Sequence, residues 1–431
     1  MLEKLREKIK NDPLIRGGLI VGTTAAIAGV GFYLYFFFMA RFLSPIEYGI
    51  LYTLISITQW WTIPDETTRS VMSKYTAKYV INDEYGKISY ILRRATRRLL
   101  IMSIIAFFIF IPISVFMGKY LDINPLFIIS TGSMLVLTSI LPASWGVLQG
   151  LQRFWIVGFR VTLDMVLRFV FGIAFVLLGF GVAGAYSAIV AATLVVLVMS
   201  YYSLKDIWKI KPVKVETKEV YKYAWPILIG SVLLTIMFTI DVILVKRFFS
   251  PIVAGYYSAI STLAKVIFFA GTGLTRVMFP LVAERHEKGE WHKDLLYKSL
   301  IIVLIISIIL IVIYTLFPNQ VVSLLFGNKY LVDIILDNKL YIPLSHLVKY
   351  LAISMMFMSL TYTICFYNWS INKKRFIFLI ILGTIAEIVL LLLSHRTIFQ
   401  YIRVLIIVNI ALFFMMLTTL IERKKYIQQN N

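Results

Sequence analysis

Cysteine, acidic residues and catalytic motifs are scarce in this chain of 431 residues. The one cysteine, Cys365, lies in an apolar run. No intrachain disulfide can form, and nothing points to an oxidising compartment. There is no Gly-x4-Gly-Lys-Ser/Thr loop, so the chain does not hydrolyse nucleotide through a P-loop. His286 and His292 share a charged loop without metal-ligand spacing. No Ser/His/Asp or Cys/His arrangement stands out, so no catalytic role and no resident cofactor are expected. Charged residues are 15% of the chain, against about a quarter in soluble proteins. Almost no mass is left for a soluble catalytic domain. No small-residue cleavage site precedes the first apolar run, so a cleavable signal peptide is not expected.

What is abundant is apolar. Hydrophobic residues are 60% of the chain and the mean hydropathy is +0.84. Twelve candidate spans run at about 14–40, 48–73, 99–117, 124–148, 155–178, 181–203, 223–245, 255–281, 297–317, 342–368, 376–394 and 398–421. Lipid cannot satisfy a bare backbone, so each span is expected to be helical. The long continuous runs lack the period-2 alternation of barrel strands. The expected fold class is therefore an all-α polytopic membrane protein.

The formal net charge is +21, from 43 Lys and Arg against 22 Asp and Glu. In a membrane protein such an excess collects in cytoplasmic loops, so no nucleic-acid partner is expected. With the N-terminus inside, basic residues cluster in the first sixteen positions, at Lys74–Arg98, Arg153–Arg160, Lys205–Lys222, Arg285–Lys298, Lys373–Arg375 and Arg423–Lys425. The outer loops keep Arg41, Lys119, Lys246, Arg247, Lys329, Lys339 and Arg396. The inside excess is about four to one, which predicts a multi-pass protein of the cell membrane with both termini cytoplasmic. The basic loops also favour anionic lipid headgroups as partners.

Residues 205–222 alternate charge with Ile, Val and Trp and divide the chain nearly in half. They read as an amphipathic cytoplasmic linker between an N-lobe, 1–204, and a C-lobe, 223–431, of six spans each. An internal repeat supports the division. Arg41-Phe-Leu-Ser-Pro45-Ile-Glu-Tyr-Gly49 recurs as Arg247-Phe-Phe-Ser-Pro251-Ile-Val-Ala-Gly255, an offset of 206 residues. A weaker echo pairs Gln152-Arg153-Phe154 with Lys374-Arg375-Phe376. An even number of spans per lobe relates the repeats by an axis along the membrane normal, an arrangement found in transporters. Ser44-Pro45, Ser250-Pro251, Pro142 and Pro226 read as helix breakers. Gly18-x3-Gly22 reads as a close helix contact.

The first repeat copy resembles the polysaccharide-transporter family of lipid-linked oligosaccharide flippases. So do Tyr223-Ala-Trp-Pro226, Asp241-Val-Ile-Leu, Ser250-Pro251 with Gly255-Tyr256-Tyr257, and Phe279-Pro280. The resemblance covers essentially the whole chain. It implies the multidrug/oligosaccharidyl-lipid/polysaccharide exporter fold, with two six-helix lobes forming a V around a central cavity. It also implies transfer of an isoprenoid-(pyro)phosphate-linked oligosaccharide from the cytoplasmic to the outer leaflet. Glycan-assembly enzymes would be further partners. The thirteenth and fourteenth helices typical of the peptidoglycan-precursor branch are missing from the pattern.

Ionisable residues inside spans are costly and need a cavity, a partner or the interface. Asp65, Glu66 and Arg69 fall on the second span, and Lys265 and Arg276 on the eighth. The 206-residue offset carries Arg69 to Thr275, beside Arg276. Arg69, Lys265 and Arg276 are thus candidate phosphate contacts, since Arg offers a planar bidentate fork and Lys a mobile point charge. The competing reading is an ion-pair network with Asp65, Glu66 and Asp241. Asp241 either pairs with Lys265 or binds a coupling Na+ or H+. Arg168 is a further candidate contact, or the i,i+4 partner of Asp164. Lys349 and Arg403 read as snorkelling side chains near outer helix ends, and Glu387 is deep in its span without an evident partner. Tyr33, Tyr35, Trp60, Trp61 and Trp145 read as packing or sugar-stacking aromatics. Alternative readings are a multidrug or metabolite exporter coupled to a cation, and an integral-membrane glycosyltransferase or glycan polymerase.

Overall fold

The computed structural model describes residues 13–215, 218–335 and 341–420. The remaining residues, which carry several of the counted Lys and Arg, lie outside the described set, as do the side chains of Gly18, Gly22, Glu66, Pro226 and Arg276. The backbone is almost wholly helical. Fifteen α-helices suffice to follow it: α1 (Pro13–Phe42), α2 (Pro45–Trp61), α3 (Ile63–Ile81), α4 (Tyr85–Leu121), α5 (Pro125–Gly150), α6 (Phe154–Phe175), α7 (Gly181–Tyr202), α8 (Lys205–Lys209), α9 (Lys218–Phe248), α10 (Pro251–Glu287), α11 (Lys293–Leu316), α12 (Pro318–Phe326), α13 (Leu344–Ser370), α14 (Arg375–Leu393) and α15 (Ile398–Leu417), with one short antiparallel β-pair, Asp333–Ile335 with Tyr341–Pro343. Every expected span coincides with a long helix or, for the second, with the pair α2 and α3. A 20-residue helix covers 30 Å, so these are membrane-length elements.

The Ser-Pro pairs mark the breaks between spans and also start the next helix. Ser44 caps α2: its hydroxyl accepts from the Glu47 amide at 3.3 Å, and the Glu47 carboxylate accepts from the Ser44 amide at 2.9 Å. Pro45 takes the first helical position, where its missing N–H is no loss. Pro251 opens α10 in the same way. Pro142 lies inside α5 without ending it. The second expected span does break, at Thr62. Pro64 supplies no amide there, and the chain makes only the shorter bonds of the Thr62 amide to Gln59 and the Asp65 amide to Thr62.

The repeat holds in the backbone. α2–α3 runs from Pro45 to Ile81 and α10 from Pro251 to Glu287, both ends 206 residues apart. The left-handed turn residue that follows is Asp83 in one case and Gly289 in the other, again 206 apart. In both turns the next amide reaches back five residues, Glu84 to Tyr79 and Glu290 to Arg285. The weaker echo has a structural counterpart too, in a slightly different register. Gln152 and Asn372 are both left-handed, and Arg153 and Lys373 donate back to Leu148 and Asn368.

The chain divides into two compact units. Unit 1 is Met1–Leu228 with Val245–Gly255, and unit 2 is Ile229–Leu244 with Tyr256–Asn431. In unit 1, α5 is the hub, packed on α2, α3, α4 and α7. Gly146 and Gly150 make the α3–α5 approach possible: a Cβ on Gly146 would sit 2.5 Å from the Arg69 carbonyl oxygen, and one on Gly150 2.5 Å from Thr76 Cβ. The two repeat glycines also meet in this unit. A Cβ on Gly49 would lie 2.9 Å from Gly255 Cα, and one on Gly255 1.9 Å from the Pro45 carbonyl oxygen. Beside them Arg247 sits over the Tyr120 ring at 4.7 Å. Segment 205–213 is strapped along α4: Ser89 donates to the Ile210 carbonyl at 2.9 Å, the Val213 amide to Gly86 at 2.9 Å, and Arg93 to the Trp208 carbonyl. Unit 2 is built on α13, packed against α11 and α15, with α14 on α15.

Candidate functional site

The densest buried polar cluster among the described residues belongs to unit 2. On α10, Tyr257, Ser261 and Lys265 recur at four-residue intervals and form one stripe. The stripe converges on Asp241 of α9. Lys265 Nζ donates to Asp241 Oδ1 at 3.0 Å, and Tyr257 Oη and Ser261 Oγ donate to Oδ2 at 2.9 and 3.2 Å. From α15, Tyr401 Oη donates to the Asp241 backbone carbonyl at 2.9 Å, and its ring meets Tyr257 edge to face at 5.9 Å. Phe238 covers the Lys265 ammonium at 4.7 Å. An ion pair this deep is tolerated because the remaining carboxylate lone pairs also have donors.

Glu387 of α14 is in electrostatic range of both Asp241 and Lys265. It is 0% exposed, and neither carboxyl oxygen has a hydrogen-bond partner among the described residues. An ionised carboxyl without a hydrogen bond is expensive in such a place.

In unit 1 two deep charges neutralise one another on a single helix. Arg168 pairs with Asp164 at 2.6 Å, one turn apart on α6, and also donates to Thr193 Oγ1 at 3.1 Å. Nearby hydroxyls are used internally: Tyr35 donates to the Ala185 carbonyl at 2.7 Å, and Tyr186 and Thr58 share a 2.6 Å bond. Tyr35 stands 206 residues before Asp241, so at the equivalent repeat position unit 1 carries a phenol where unit 2 carries a carboxylate.

The sequence-derived candidates thus fall into separate groups. Asp241 and Lys265 come together, as the pairing alternative required. Lys265 is only 2% exposed, so the expectation of an open phosphate contact is replaced here by a sealed ion pair. Arg168 is likewise engaged with Asp164. Asp65 and Arg69 are both half-buried, one turn apart on α3. Glu66 and Arg276 lie outside the described side chains. Arg69's repeat counterpart, Thr275, is buried and bonded to Thr363 at 3.0 Å. Trp61 packs on Phe110 and Trp145 donates to Ser200, so these two aromatics serve packing. Tyr257, Ser261 and Tyr401 were not singled out from the sequence. The i, i+4, i+8 polar stripe was a usable signal for the first two.

Solved structures with this architecture are membrane transporters. The chain matches an inward-facing multidrug-resistance MATE family transporter of the MOP superfamily with a TM-score of 0.69, at 13% identity, over 92% of this chain and 94% of that one. A eukaryotic MATE transporter matches at TM-score 0.64 and 13% identity, over 97% and 96%. A MOP superfamily transporter from Pyrococcus furiosus, described by the reverse polarity of its binding pocket, matches at 0.63 and 14%, over 95% and 96%. No curated protein matches the sequence significantly. The fold is therefore the one that these transporters share. The chain belongs to the polysaccharide biosynthesis protein family, whose model matches residues 15–286.

Proposed function

We propose that this protein is a flippase, not an enzyme. It moves an isoprenoid-(pyro)phosphate-linked oligosaccharide from the cytoplasmic to the outer leaflet of the cell membrane by alternating access, with both termini cytoplasmic. The observation that carries the reading is membership of a polysaccharide biosynthesis family in a chain with a transporter fold. The strongly basic balance suits an anionic cargo, and glycan-assembly enzymes would supply it and consume it. Arg69 and Arg276 are the proposed phosphate contacts, because a guanidinium offers phosphate oxygens a planar bidentate fork; Lys265 and Arg168 pair with carboxylates. Asp241, Lys265 and Glu387 form the proposed exchange site for a coupling proton or Na+.

The test is reconstitution of the purified chain into vesicles carrying a fluorescent lipid-diphosphate oligosaccharide in one leaflet. Acceleration of its appearance in the other leaflet supports the proposal. Transport of cationic drugs with no movement of the glycolipid would overturn it in favour of a multidrug exporter.

A further inference from the structure

Where α14 gives way to α15, at the end of unit 2 opposite the Asn372 turn, Ser394, Arg396, Gln400 and Arg403 line a hollow of about 400 Å³ together with Leu393 and Ile407. No carboxylate lines it. Among the described residues neither arginine takes part in an ion pair. This is the end that the Lys/Arg distribution places outside, where basic residues are few, and both guanidinium groups are exposed at the hollow, open to an anion. Arg403 also stacks on Phe399 at 4.4 Å, Phe399 packs on Tyr350, and Lys349 lies over Tyr350 at 5.2 Å.

The order of side chains is informative. Gln400, Arg403 and Ile407 follow one stripe of α15, and Arg396 stands just before the helix, which Thr397 caps. Passing from the helix end into the span, the lining changes from cationic to apolar. Ile407, one turn further into the span than Arg403, is 62% exposed, so the apolar part opens on the lipid-facing surface, while Leu393 ends α14 beside the loop that carries Arg396. Guanidinium groups at headgroup depth above an exposed aliphatic step match a phosphate joined to hydrocarbon chains. A soluble phosphate would have no use for the aliphatic step.

We infer that this hollow binds the phosphate of an anionic membrane lipid, held by Arg396 and Arg403 with its acyl chains against Ile407. The inference does not depend on what the protein transports.

Native mass spectrometry of the delipidated full chain, titrated separately with phosphatidylglycerol, phosphatidylcholine and inorganic pyrophosphate, tests it. Phosphatidylglycerol should bind more tightly than either alternative. Its affinity should fall by roughly tenfold or more in R396Q/R403Q, the scale of losing a charge-assisted hydrogen bond. Lys119→Ala, which removes an exposed cation elsewhere, should leave affinity unchanged. Should the double variant fail to fold, Arg396→Gln alone, at a position outside the helix, still must weaken binding. Equal phosphatidylglycerol retention by folded arginine variants would overturn the site. Pyrophosphate binding as tightly as the lipid would overturn the lipid and leave a soluble-anion site.

Discussion

Lys265 and Asp241 face each other across α10 and α9 at 3.0 Å, sealed from solvent and backed by the hydroxyls of Tyr257 and Ser261. Removing one member leaves the other as an uncompensated buried charge. Lys265→Ala or Asp241→Asn alone is expected to destabilise unit 2 by about 3–5 kcal/mol, and the uncharged pair K265M/D241N to recover most of that. Cys365 supplies the readout: it is the one thiol, 0% exposed in α13, and should react with a fluorescent maleimide only on unfolding. Equal unfolding temperatures for single and double variants would contradict the pairing.

Glu387 leads to a different expectation. Glu387→Gln keeps the shape and removes the ionisable proton. It should leave thermal unfolding within about 1 kcal/mol of wild type, since the group makes no hydrogen bond to lose. Transport measured across a pH series should lose its dependence on proton concentration. A variant as pH-sensitive as wild type would remove Glu387 from coupling.

Arg69→Ala and Arg276→Ala should each abolish glycan export in cells while leaving protein level and unfolding temperature intact. Normal export by both would refute the phosphate-contact assignment. If the cargo carries about two negative charges, an inside-negative potential of 100 mV favours its outward movement by roughly 4.6 kcal/mol. Clamping the potential with valinomycin should then alter the vesicle transport rate.

Gly255 and Gly49 test the packing of the repeat. A methyl at Gly255 would meet the Pro45 carbonyl oxygen at 1.9 Å, so backbone must shift, and Gly255→Ala should cost about 1–3 kcal/mol or more. Gly273, also in α10, has nothing within 4 Å of its would-be Cβ. Gly273→Ala should be stabilising by about 0.5–1 kcal/mol through helix propensity. Opposite signs in the same thiol-reactivity melt confirm the contact, and equal signs deny it.

The helical architecture was legible because hydrophobic runs of membrane length admit few other structures, and the 206-residue offset holds in the structure for helix ends and turn residues beyond the motif that revealed it. Asp164 with Arg168, and Asp241 with Lys265, were readable as pairs from charge and spacing. Tyr401 was not, because its hydroxyl reaches a backbone carbonyl 160 residues away, and backbone acceptors leave no mark in a sequence. The Gly146-x3-Gly150 contact was missed for a related reason. Its partner is the main chain of α3 at Arg69 and Ser73, which any residue could provide. Ser-Pro was read only as a helix breaker between spans; the break is there, and at Ser44-Pro45 the serine hydroxyl and the proline ring also begin the next helix.

The interruption at Thr62 has no twin. Pro64 corresponds through the repeat to Ala270, which leaves the ladder of α10 continuous where that of α2 and α3 has already lapsed. Flexing at this level therefore forfeits no further backbone bond in the first half of the molecule, whereas the second half must rupture intact ones. Two halves built on one pattern are mechanically unequal, and the more compliant joint lies about two turns from Arg69.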